Sequence, residues 1–347
     1  MCGIVGFWNL KNKGSMNIQN IICNMTDTLK SRGPDDKGIW IDKNNNISFG
    51  HRRLSIIELS KLGKQPMESK NKRYIISFNG EIYNFQEIKQ KLKEEKVKFK
   101  SNSDTEVLIE AISNWGIKKT LIEISGMYAF ALLDKKYKKI YLVRDRFGIK
   151  PLYFSFINGL FLFGSQTKSF YKHPAWKKEI SNKSLASFLR YGYIPSNQSI
   201  FKETCQVSPG SYIIFSSKGV LKKKRYWNLR NIVENIKKNE ITDIDLENKI
   251  EIKLSEAVKR HMVSDVPIGS FLSGGIDSSL ITLLMQKQSA KKIQTFNIGF
   301  KDKTLDETKY AASIAKHLGT DHYNVIFSNK DIINLIPKLN QVYDEPF

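Results

Sequence analysis

Met1-Cys2-Gly3-Ile4-Val5-Gly6-Phe7-Trp8 opens the chain, and this nearly unbroken apolar run predicts a strand. Gly3 and Gly6 within it are typical of a strand whose backbone another segment approaches closely. Removal of Met1 by an aminopeptidase, which the small Cys2 permits, would leave one residue carrying both a thiol and a free α-amine. Such an amine has a pKa of about 7.7–8.0, so it can act as the base for a nucleophilic thiol. A cysteine beside the start is more often an accident of position, so the rest of the chain must decide.

Residues 1 to about 215 contain many short apolar or aromatic segments bounded by turn residues, a pattern that predicts strands. Two helices are expected, one over Ile18 to Leu29, which Arg32-Gly33-Pro34 must end, and one over Phe85 to Lys93, where apolar residues recur at four-residue spacing. Many strands with few helices predict a layered α+β domain built as an antiparallel sandwich. The expected strands are Ile4 to Asn9, Ile47 to Phe49, Tyr74 to Phe78, Tyr128 to Leu133, Ile140 to Arg144, Leu152 to Ser155 and Leu160 to Phe163.

The composition limits the class of protein. The 347 residues are enough for about two domains, and an apolar fraction of 41% supports ordinary globular cores. The sequence has no run of about eighteen apolar residues, which a membrane span requires, and its N-terminus lacks the pattern of a secretory signal. Cys2, Cys23 and Cys205 form an odd set without metal-site spacing, which fits a reducing compartment. We therefore expect a cytoplasmic protein.

The formal net charge of +22 raises the question of a nucleic-acid partner. Surfaces that bind single strands concentrate charge in one groove and interleave aromatic residues. Here the basic residues are spread along the chain, as in Lys135 to Lys139 and Lys222 to Arg225. A solvated, lysine-rich surface explains this charge, so neither nucleic acid nor a membrane is expected as a partner.

The character of the sequence changes near residue 240. We assign residues 2–215 to a first domain, 216–241 to a polar linker and 242–347 to a second domain. After a helix with one apolar stripe from Leu246 to Val258, predicted strands and helices alternate, which is typical of a parallel α/β sheet. Only three of its strands precede Phe347, so we expect an incomplete domain in a C-terminally truncated chain. The expected elements are strands over Ser270 to Leu272, Ile293 to Phe300 and His322 to Phe327, and helices over Ser278 to Gln286, Asp306 to Leu318 and onward from Asp331.

Ser273-Gly274-Gly275-Ile276-Asp277-Ser278-Ser279, between a predicted strand and helix, is the strongest local motif. Its glycines let backbone N–H groups turn toward an anion, the helix N-terminus adds its dipole, and the serines add donors. The loop lacks the lysine of the Walker motif, which favours pyrophosphate as a leaving group over γ-phosphate transfer. Asp277 would repel a bare anion, so it indicates Mg²⁺ between its carboxylate and the phosphates. A plain Ser/Gly turn before a helix is the alternative.

This loop resembles the pyrophosphatase-type ATP loop of the glutamine-dependent asparagine synthetases, and the N-terminal half resembles their class II glutamine amidotransferase domain. The resemblance implies an N-terminal-nucleophile amidotransferase fold followed by an ATP-pyrophosphatase domain. The matching motifs follow family order along nearly the whole chain, and they are more specific for the family than for the acceptor of the nitrogen. They comprise Met1-Cys2-Gly3-Ile4, Arg32-Gly33-Pro34-Asp35, Arg53-Leu54-Ser55-Ile56, Asn79-Gly80-Glu81-Ile82-Tyr83-Asn84, Ser103-Asp104-Thr105-Glu106, Gly126-Met127-Tyr128-Ala129-Phe130-Ala131, Arg144-Asp145-Arg146-Phe147-Gly148, Lys150-Pro151-Leu152-Tyr153 and Ser264-Asp265-Val266-Pro267.

A glutaminase site follows from the resemblance. Cys2 would attack the side-chain amide of glutamine, which forms a thioester and releases ammonia. The side chain of Asn79 and the backbone N–H of Gly80 would stabilise the oxyanion that develops. Without the resemblance, Asn79-Gly80 would be interpreted as a hairpin turn.

The resemblance also implies how glutamine is recognised. Arg53 would bind the α-carboxylate through its guanidinium, Asp104 would bind the α-ammonium, and Glu81 would add a main-chain or polar contact. Because neighbouring residues of a strand point to opposite faces, only one of Arg52 and Arg53 can serve. On composition alone, Arg53 and Asp104 would be ordinary surface charges.

In the second domain the resemblance implies an ATP site. Leu272 and Ile298 match positions that contact ATP through the main chain, although both would otherwise be plain strand residues of the core. Asp306 and Glu307 match an acidic pair, for which a role as helix N-terminal charges is equally sufficient. The implied ATP-binding residues are Leu272, Ser273, Gly274, Gly275, Asp277, Ser278, Ser279 and Ile298, with Asp277 as the metal ligand.

Two features depart from the family pattern. The family has a Ser-Glu pair before a lysine where this chain has Ser165-Gln166-Thr167-Lys168, so Gln166 removes a carboxylate that could support pairing between domains. The family's later Ser-Gly-x-Gly-x-Asp-Glu segment and a further lysine, which complete the ATP site, do not occur up to Phe347.

The expected function is ATP-dependent synthesis of asparagine from aspartate with ammonia from glutamine, giving asparagine, glutamate, AMP and pyrophosphate, with ATP and Mg²⁺ required. Glutamine, aspartate and ATP would be its small-molecule partners, and a homodimer is one option for its assembly. Two alternatives stay open. The acceptor could be another carboxylate, on a sugar or a modified amino acid, or this chain could act only as a glutaminase or a non-catalytic partner.

Overall fold

The computed structural model describes residues 1–11, 17–234, 243–302 and 306–346. These residues divide into two compact units. Unit 1 contains residues 1–234 together with 343–346, and unit 2 contains the rest. None of the helices in the described ranges combines the length and apolar character that crossing a bilayer demands.

Unit 1 is built on two six-stranded antiparallel sheets. Its elements are β1 (Gly3–Asn9), α1 (Ile18–Asp27), β2 (Asp36–Asp42), β3 (Ile47–Arg53), β4 (Met67–Glu68), β5 (Tyr74–Ile82), α2 (Phe85–Glu94), α3 (Asp104–Glu123), β6 (Gly126–Asp134), β7 (Lys139–Arg144), β8 (Tyr153–Ile157), β9 (Leu160–Gly164), α4 (Asn182–Tyr191), β10 (Thr204–Gln206), β11 (Ser211–Ser216), β12 (Leu221–Arg225) and α5 (Leu229–Glu234). The first sheet has the order β10-β8-β9-β1-β3-β2 and the second the order β12-β11-β7-β6-β5-β4.

Strand β1 lies in the middle of the first sheet, between β9 and β3. Ile4 and Trp8 belong to the core between the two sheets. Val5 and Phe7 belong to a second core on the opposite face, which α1 covers. Burial on both faces explains why the apolar run of β1 does not alternate with polar residues.

The close approach predicted at the glycines of β1 is present. A Cβ on Gly6 would lie 2.2 Å from the ring of Phe163, and one on Gly3 would lie 2.8 Å from Leu29. Between the sheets, the rings of Phe161 and Phe215 stack with centroids 4.0 Å apart. These contacts leave no room for larger residues in β1, because protein interiors are close-packed.

Helices cover both outer faces of the sandwich. Helix α1 packs on β1 and β3, and α3 packs on β5 and α2. The layered antiparallel α+β sandwich predicted for the N-terminal domain is therefore confirmed. The sequence prediction named none of β2, β4, α3, α4, β10 and β11.

The structure corrects the linker expected over residues 216–241. Leu221–Arg225 forms β12, which pairs with β11 at the edge of the second sheet, and charged side chains are common on exposed edge strands. Leu229–Glu234 forms α5. Residues 235–241 lie outside the described residues. Residues 343–346, expected in the second domain, belong to unit 1.

Unit 2 contains a three-stranded parallel sheet with the order β13-β14-β15, which confirms the predicted α/β alternation. The predicted strands and helices coincide with observed ones to within a few residues. Its elements are α6 (Asp243–His261), β13 (Gly269–Phe271), α7 (Ile276–Lys287), β14 (Gln294–Phe300), α8 (Thr308–Leu318), β15 (Asp321–Phe327), α9 (Asn329–Leu335) and α10 (Leu339–Val342).

A buried carboxylate holds the loop after β7. Asp145 is 1% exposed. One of its oxygens accepts from the backbone N–H groups of Phe147 and Ile149, both at 3.0 Å. The other accepts from the N–H groups of Tyr128 at 3.2 Å and Lys150 at 3.0 Å. One side chain therefore fixes the conformation of residues 146–150.

We expect the substitution Asp145→Asn to lower the stability of unit 1. An amide offers one acceptor oxygen where the carboxylate offers two, so one pair of backbone N–H groups loses its partner. The cost is about 1–3 kcal/mol for each buried N–H group, such as those of Tyr128 and Lys150. Urea unfolding followed by tryptophan fluorescence would show a lower midpoint for Asp145→Asn. The exposed Glu94→Gln serves as the control, and equal midpoints for the two variants would contradict this role of Asp145.

Candidate functional site

The thiol of Cys2 lies in the wall of a cavity in unit 1. The backbone N–H of Leu54 donates to its Sγ at 3.4 Å, and the thiol donates to the carbonyl of Leu54 at 3.6 Å. Arg32 Nε donates to the carbonyl of Cys2 at 3.0 Å. The two hydrogen bonds to Leu54 hold the sulfur in place. Burial raises the pKa of the Cys2 thiol, so a base is needed to remove its proton.

This cavity has a volume of about 260 Å³. It brings together all six residues that the sequence implicated in glutaminase chemistry, although they come from distant parts of the chain. The residues that line it are Met1, Cys2, Arg53, Leu54, Ile56, Ile57, Gly63, Gln65, Phe78, Asn79, Gly80, Glu81, Ser103, Asp104, Thr105, Met127 and Lys150.

Asn79 and Gly80 lie inside β5, paired with Ala129 and Tyr128 of β6, so the hairpin interpretation is wrong. The side chain of Asn79 is fully buried, and neither its oxygen nor its nitrogen has a hydrogen-bond partner among the described residues. A Cβ on Gly80 would lie 2.2 Å from the carbonyl of Met127. A buried amide without partners is costly, and Asn79 is one of the residues that line the cavity containing the thiol.

Arg53, but not Arg52, lines the cavity, as the alternation of β3 requires. The guanidinium of Arg53 donates to the carbonyls of Ser60 at 3.1 Å, Ile57 at 3.2 Å and Glu58. A guanidinium carries five N–H groups. Arg53 thus holds the loop that forms one wall of the cavity, and two of its donors remain for a ligand.

Asp104 is the first residue of α3, and its side chain is buried. Burial raises the pKa of Asp104 to about 7. The backbone N–H of Ile82 donates to its carboxylate at 3.1 Å and opposes this shift, whereas the negative charge of Glu81 adds to it. Two acidic side chains in one cavity create a region that favours a cationic group.

Lys150 lines the same cavity and is 6% exposed. Lys150 belongs to the motif Lys150-Pro151-Leu152-Tyr153, but it is not among the site residues that the sequence predicts. Burial lowers the pKa of its ammonium. A lysine in a loop between strands is normally solvated. The burial of Lys150 in the cavity therefore follows from the fold of the loop around Asp145 and not from the local sequence.

In unit 2 the predicted anion loop joins β13 to α7. Gly274 has a φ of +84°, and a Cβ there would lie 2.6 Å from Cβ of Tyr310. Gly275 caps α7 without a side-chain hydrogen bond, and the hydroxyl of Ser279 is buried without a partner among the described residues. The N–H groups of a helix N-terminus and the Ser279 hydroxyl, beside a position 274 that only glycine can occupy, fit an anion such as a phosphate group.

The hydroxyls of Ser273 and Ser278 lie 3.0 Å apart, and each has a further contact inside the loop. Asp277 is exposed in the first turn of α7. Among the described residues, no cluster of three His, Cys, Asp or Glu side chains could hold a metal ion.

Both main-chain groups of Leu272, which were expected to contact ATP, already have hydrogen-bond partners within unit 2. Its N–H donates to the carbonyl of Phe296 at 2.9 Å, and its carbonyl accepts from Asn297 Nδ2 at 2.9 Å. Its side chain is buried against α8. Ile298 lies in β14 with 51% of its surface exposed, so it is open to a ligand.

Of the acidic pair expected near this site, Asp306 binds to the start of the helix that follows it. Asp306 accepts from the backbone N–H of Thr308 at 3.2 Å and from the hydroxyl of Thr308, just before α8. These hydrogen bonds lower the pKa of Asp306. The alternative role of the pair, as charges at a helix N-terminus, therefore describes Asp306.

Comparisons with known proteins also divide the chain into an N-terminal and a C-terminal part. Residues 1–227 match the glutamine amidotransferase domain family, and residues 249–347 match the asparagine synthase family. Over the whole chain, the glutamine-hydrolysing asparagine synthetase homologue 2 of Methanocaldococcus jannaschii is 36% identical, and the alignment covers 69% of that protein.

The chain belongs to the glutamine-hydrolysing asparagine synthetase family. Asparagine synthetases 3 and 1 of Bacillus subtilis are 32% and 33% identical over the whole chain, which covers 57% and 53% of their lengths. A solved structure of glutamine phosphoribosylpyrophosphate amidotransferase from B. subtilis superposes with a TM-score of 0.49 at 18% identity, covering 93% of this chain and 65% of that one.

The structure accounts for the glutamine at position 166, which departs from the family pattern. Gln166 Nε2 donates to one carboxylate oxygen of Asp344 at 3.3 Å, and the N–H of Lys168 donates to the other at 2.8 Å. The ammonium of Lys168 lies 3.8 Å from Asp344. A glutamate at 166 would set two carboxylates against each other, whereas the amide donates a hydrogen bond. Both partners belong to unit 1.

Proposed function

We propose that the cavity around Cys2 is a glutaminase site and that the loop over residues 273–279 binds ATP, so that the chain contributes to ATP-dependent synthesis of asparagine. The observation that carries this proposal is the placement of the Cys2 thiol, the partnerless Asn79 amide and the buried Asp104 carboxylate in one cavity. The lining of the cavity matches the chemical groups of glutamine at both of its ends.

In the proposed reaction, removal of Met1 exposes the α-amine of Cys2, which takes the thiol proton. The thiolate attacks the carboxamide carbon of glutamine, and the resulting oxyanion accepts hydrogen bonds from Asn79 Nδ2 and the N–H of Gly80. Collapse of this intermediate transfers the proton to the leaving nitrogen, releases ammonia and leaves a thioester. Water then hydrolyses the thioester to glutamate and restores the thiol.

The opposite end of glutamine would be recognised by charge. The carboxylates of Asp104 and Glu81 suit its α-ammonium, and the remaining donors of Arg53 suit its α-carboxylate. Because Arg53 also holds the loop wall through Ser60, Ile57 and Glu58, the position of this cation is fixed before a ligand binds.

The family to which this chain belongs uses ATP, and the loop of unit 2 supports the same use here. The N–H groups at the start of α7 and the hydroxyls of Ser273, Ser278 and Ser279 would hold the pyrophosphate portion, and Asp277 would share Mg²⁺ with it. Mg²⁺, when bound, would neutralise phosphate charge. ATP would activate the side-chain carboxylate of aspartate as an acyl-adenylate, and ammonia would displace AMP.

A product assay tests the synthetic half of the proposal. Incubation with glutamine, aspartate, ATP and Mg²⁺ should yield asparagine, glutamate, AMP and pyrophosphate, whereas formation of ADP and orthophosphate would contradict it. Replacing aspartate with sugar carboxylates or modified amino acids separates the alternative acceptors, since the true acceptor alone should stimulate AMP release. The free cysteines Cys2, Cys23 and Cys205 are compatible with the proposed cytoplasmic location.

The pKa of Asp104 predicts how glutamine binding depends on pH. Since burial raises that pKa to about 7, Asp104 loses its negative charge as the pH falls below 7 and can no longer pair with an α-ammonium. Titration calorimetry with the Cys2→Ala variant, which cannot hydrolyse glutamine, should show the Kd rising roughly five-fold between pH 7 and pH 6. Asp104→Asn in the same background should bind weakly and without this dependence, and a Kd independent of pH in the parent would contradict the assignment.

A further inference from the structure

Lys150 occupies a position that the surrounding loop specifies in detail. Its backbone N–H donates to the Asp145 carboxylate at 3.0 Å, and its carbonyl accepts from Arg144 Nε at 2.9 Å. The guanidinium of Arg144 also donates to the carbonyls of Gly148 at 2.6 Å and Val207 at 2.8 Å. Two buried ionic side chains thus fix the backbone from which the lysine side chain extends.

The ammonium of Lys150 faces the cavity without a protein partner. The residue is 6% exposed, and within the described ranges its Nζ has neither a hydrogen bond nor an ion pair. Arg32 donates to the Cys2 carbonyl and Arg53 donates to the loop wall, so each of these cations has a protein partner, unlike the Lys150 ammonium. A buried ammonium without a hydrogen bond or an ion pair is unfavourable. The charge of Glu81 favours it only from a distance, so an anion that arises beside it would stabilise it further.

Charged groups face Lys150 from several elements. Glu81 of β5, Arg32 after α1, Cys2 and Asp145 all act electrostatically on its ammonium. Asp145 already accepts four backbone hydrogen bonds. Burial lowers the pKa of the Met1 ammonium, and the charges of Arg32 and Lys150 add to this shift.

We propose that Lys150 is a positioning residue of the glutaminase reaction, whose ammonium stabilises the negative charge that forms on the Cys2 sulfur. This inference rests on the proposed function of the same cavity. Burial and the charge of Asp104 oppose formation of the thiolate, whereas the N–H of Leu54, the terminal ammonium and Arg53 favour it. The Lys150 ammonium, which interacts electrostatically with Cys2, would add to the groups that favour it. Lys150 thereby stabilises the thiolate electrostatically, in addition to the removal of its proton by the α-amine. The sequence motif alone does not indicate this role.

The test compares Lys150→Met, Lys150→Gln and Lys150→Arg in protein shown by mass spectrometry to have lost Met1, with the exposed Lys218→Met as the control. Alkylation of Cys2 by iodoacetamide, followed by intact mass between pH 6 and pH 9, reports the thiolate fraction. Each neutral variant should slow alkylation at pH 7 by about tenfold, which corresponds to an upward shift of one pKa unit for the thiol. Lys150→Arg should restore most of the rate, and Lys218→Met should leave it unchanged.

Steady-state glutaminase kinetics separate this role from binding of the substrate carboxylate. The neutral variants should lower kcat and leave KM within about twofold. A rise in KM of tenfold or more with unchanged alkylation would overturn the proposal and assign Lys150 to the α-carboxylate. Unchanged kinetics and unchanged alkylation would overturn it as well.

Two further readouts keep the outcomes distinct. Removal of a buried, unpaired cation should leave the thermal unfolding temperature unchanged or raise it, whereas loss of a purely structural lysine would lower it. Alkylation requires no glutamine, so a wild-type protein without glutaminase activity would refute the proposed function while the charge effect on Cys2 is still measured.

Discussion

Cys2→Ala is expected to abolish glutamine hydrolysis, with ammonia release falling at least about 10³-fold. Alanine removes the sulfur that forms the thioester, and no other thiol can replace it, because Cys23 and Cys205 are absent from the lining of the cavity. Binding of glutamine should persist, because Arg53, Asp104 and Glu81 are unchanged. Ammonia release and titration calorimetry on the same preparation measure the two quantities.

Cys23→Ala is the matched control for this loss. Cys23 lies on α1 and is a free, half-buried thiol, so its removal should leave hydrolysis unchanged. Residual hydrolysis by Cys2→Ala comparable to that of the parent protein would refute the assignment of the nucleophile. A fully active protein that retains Met1 in its mass spectrum would contradict the role of the α-amine.

Asn79→Ala is expected to lower kcat for glutamine hydrolysis by about 10²–10³-fold with little change in KM. The donor that it removes acts on charge that develops only in the transition state, so substrate binding should be nearly unaffected. Because the Asn79 side chain is buried without partners among the described residues, alanine should not destabilise the fold. Initial-rate kinetics and thermal unfolding would record both effects.

Asn79→Asp sharpens this prediction. It preserves the size of the side chain but replaces the donor with an acceptor that repels an oxyanion, so its activity should fall below that of the alanine variant. The exposed Asn324→Ala on β15 is the control and should behave as the parent protein. Equal activity of the aspartate variant and the parent would show that Asn79 does not face the oxyanion.

Much of the architecture follows from local patterns. The uninterrupted apolar residues of β1 indicate a strand buried on both faces, and the core residues on either side of it confirm this. The alternation of β13, α7, β14 and α8 follows from strands and helices with clear periodicity. Such signals succeed where burial is regular along an element.

Other elements lack such a signal. Helix α3 is buried at consecutive positions from Asp104 to Ile112, and Gly116, with a φ of +78°, interrupts it, so no amphipathic period emerges. Strand β12 carries lysines on both faces because it lies at a sheet edge. Its composition therefore resembles that of a linker.

The residues of the candidate site also differ in how far the sequence predicts them. Cys2, Asn79, Arg53 and Asp104 were recognisable through their motifs, but their convergence on one cavity is a tertiary property. Lys150 could not be selected from the sequence, because nothing local distinguishes a buried lysine from the many solvated ones in so basic a chain.

The buried Asp104 carboxylate also has a consequence for the stability of the ligand-free protein. Its pKa of about 7 in the fold exceeds the value of about 3.9 in an unfolded chain, so the folded state loses stability as the pH rises from about 4 to 7 and does not regain it above 7. At neutral pH and above, the buried Asp104 carboxylate in the empty cavity therefore lowers the stability of the folded state. An ammonium group bound beside Asp104 would reduce this loss of stability. In evolutionary terms, a more stable variant of this protein is easy to reach by neutralising Asp104, and selection for substrate recognition is what would keep the less stable one.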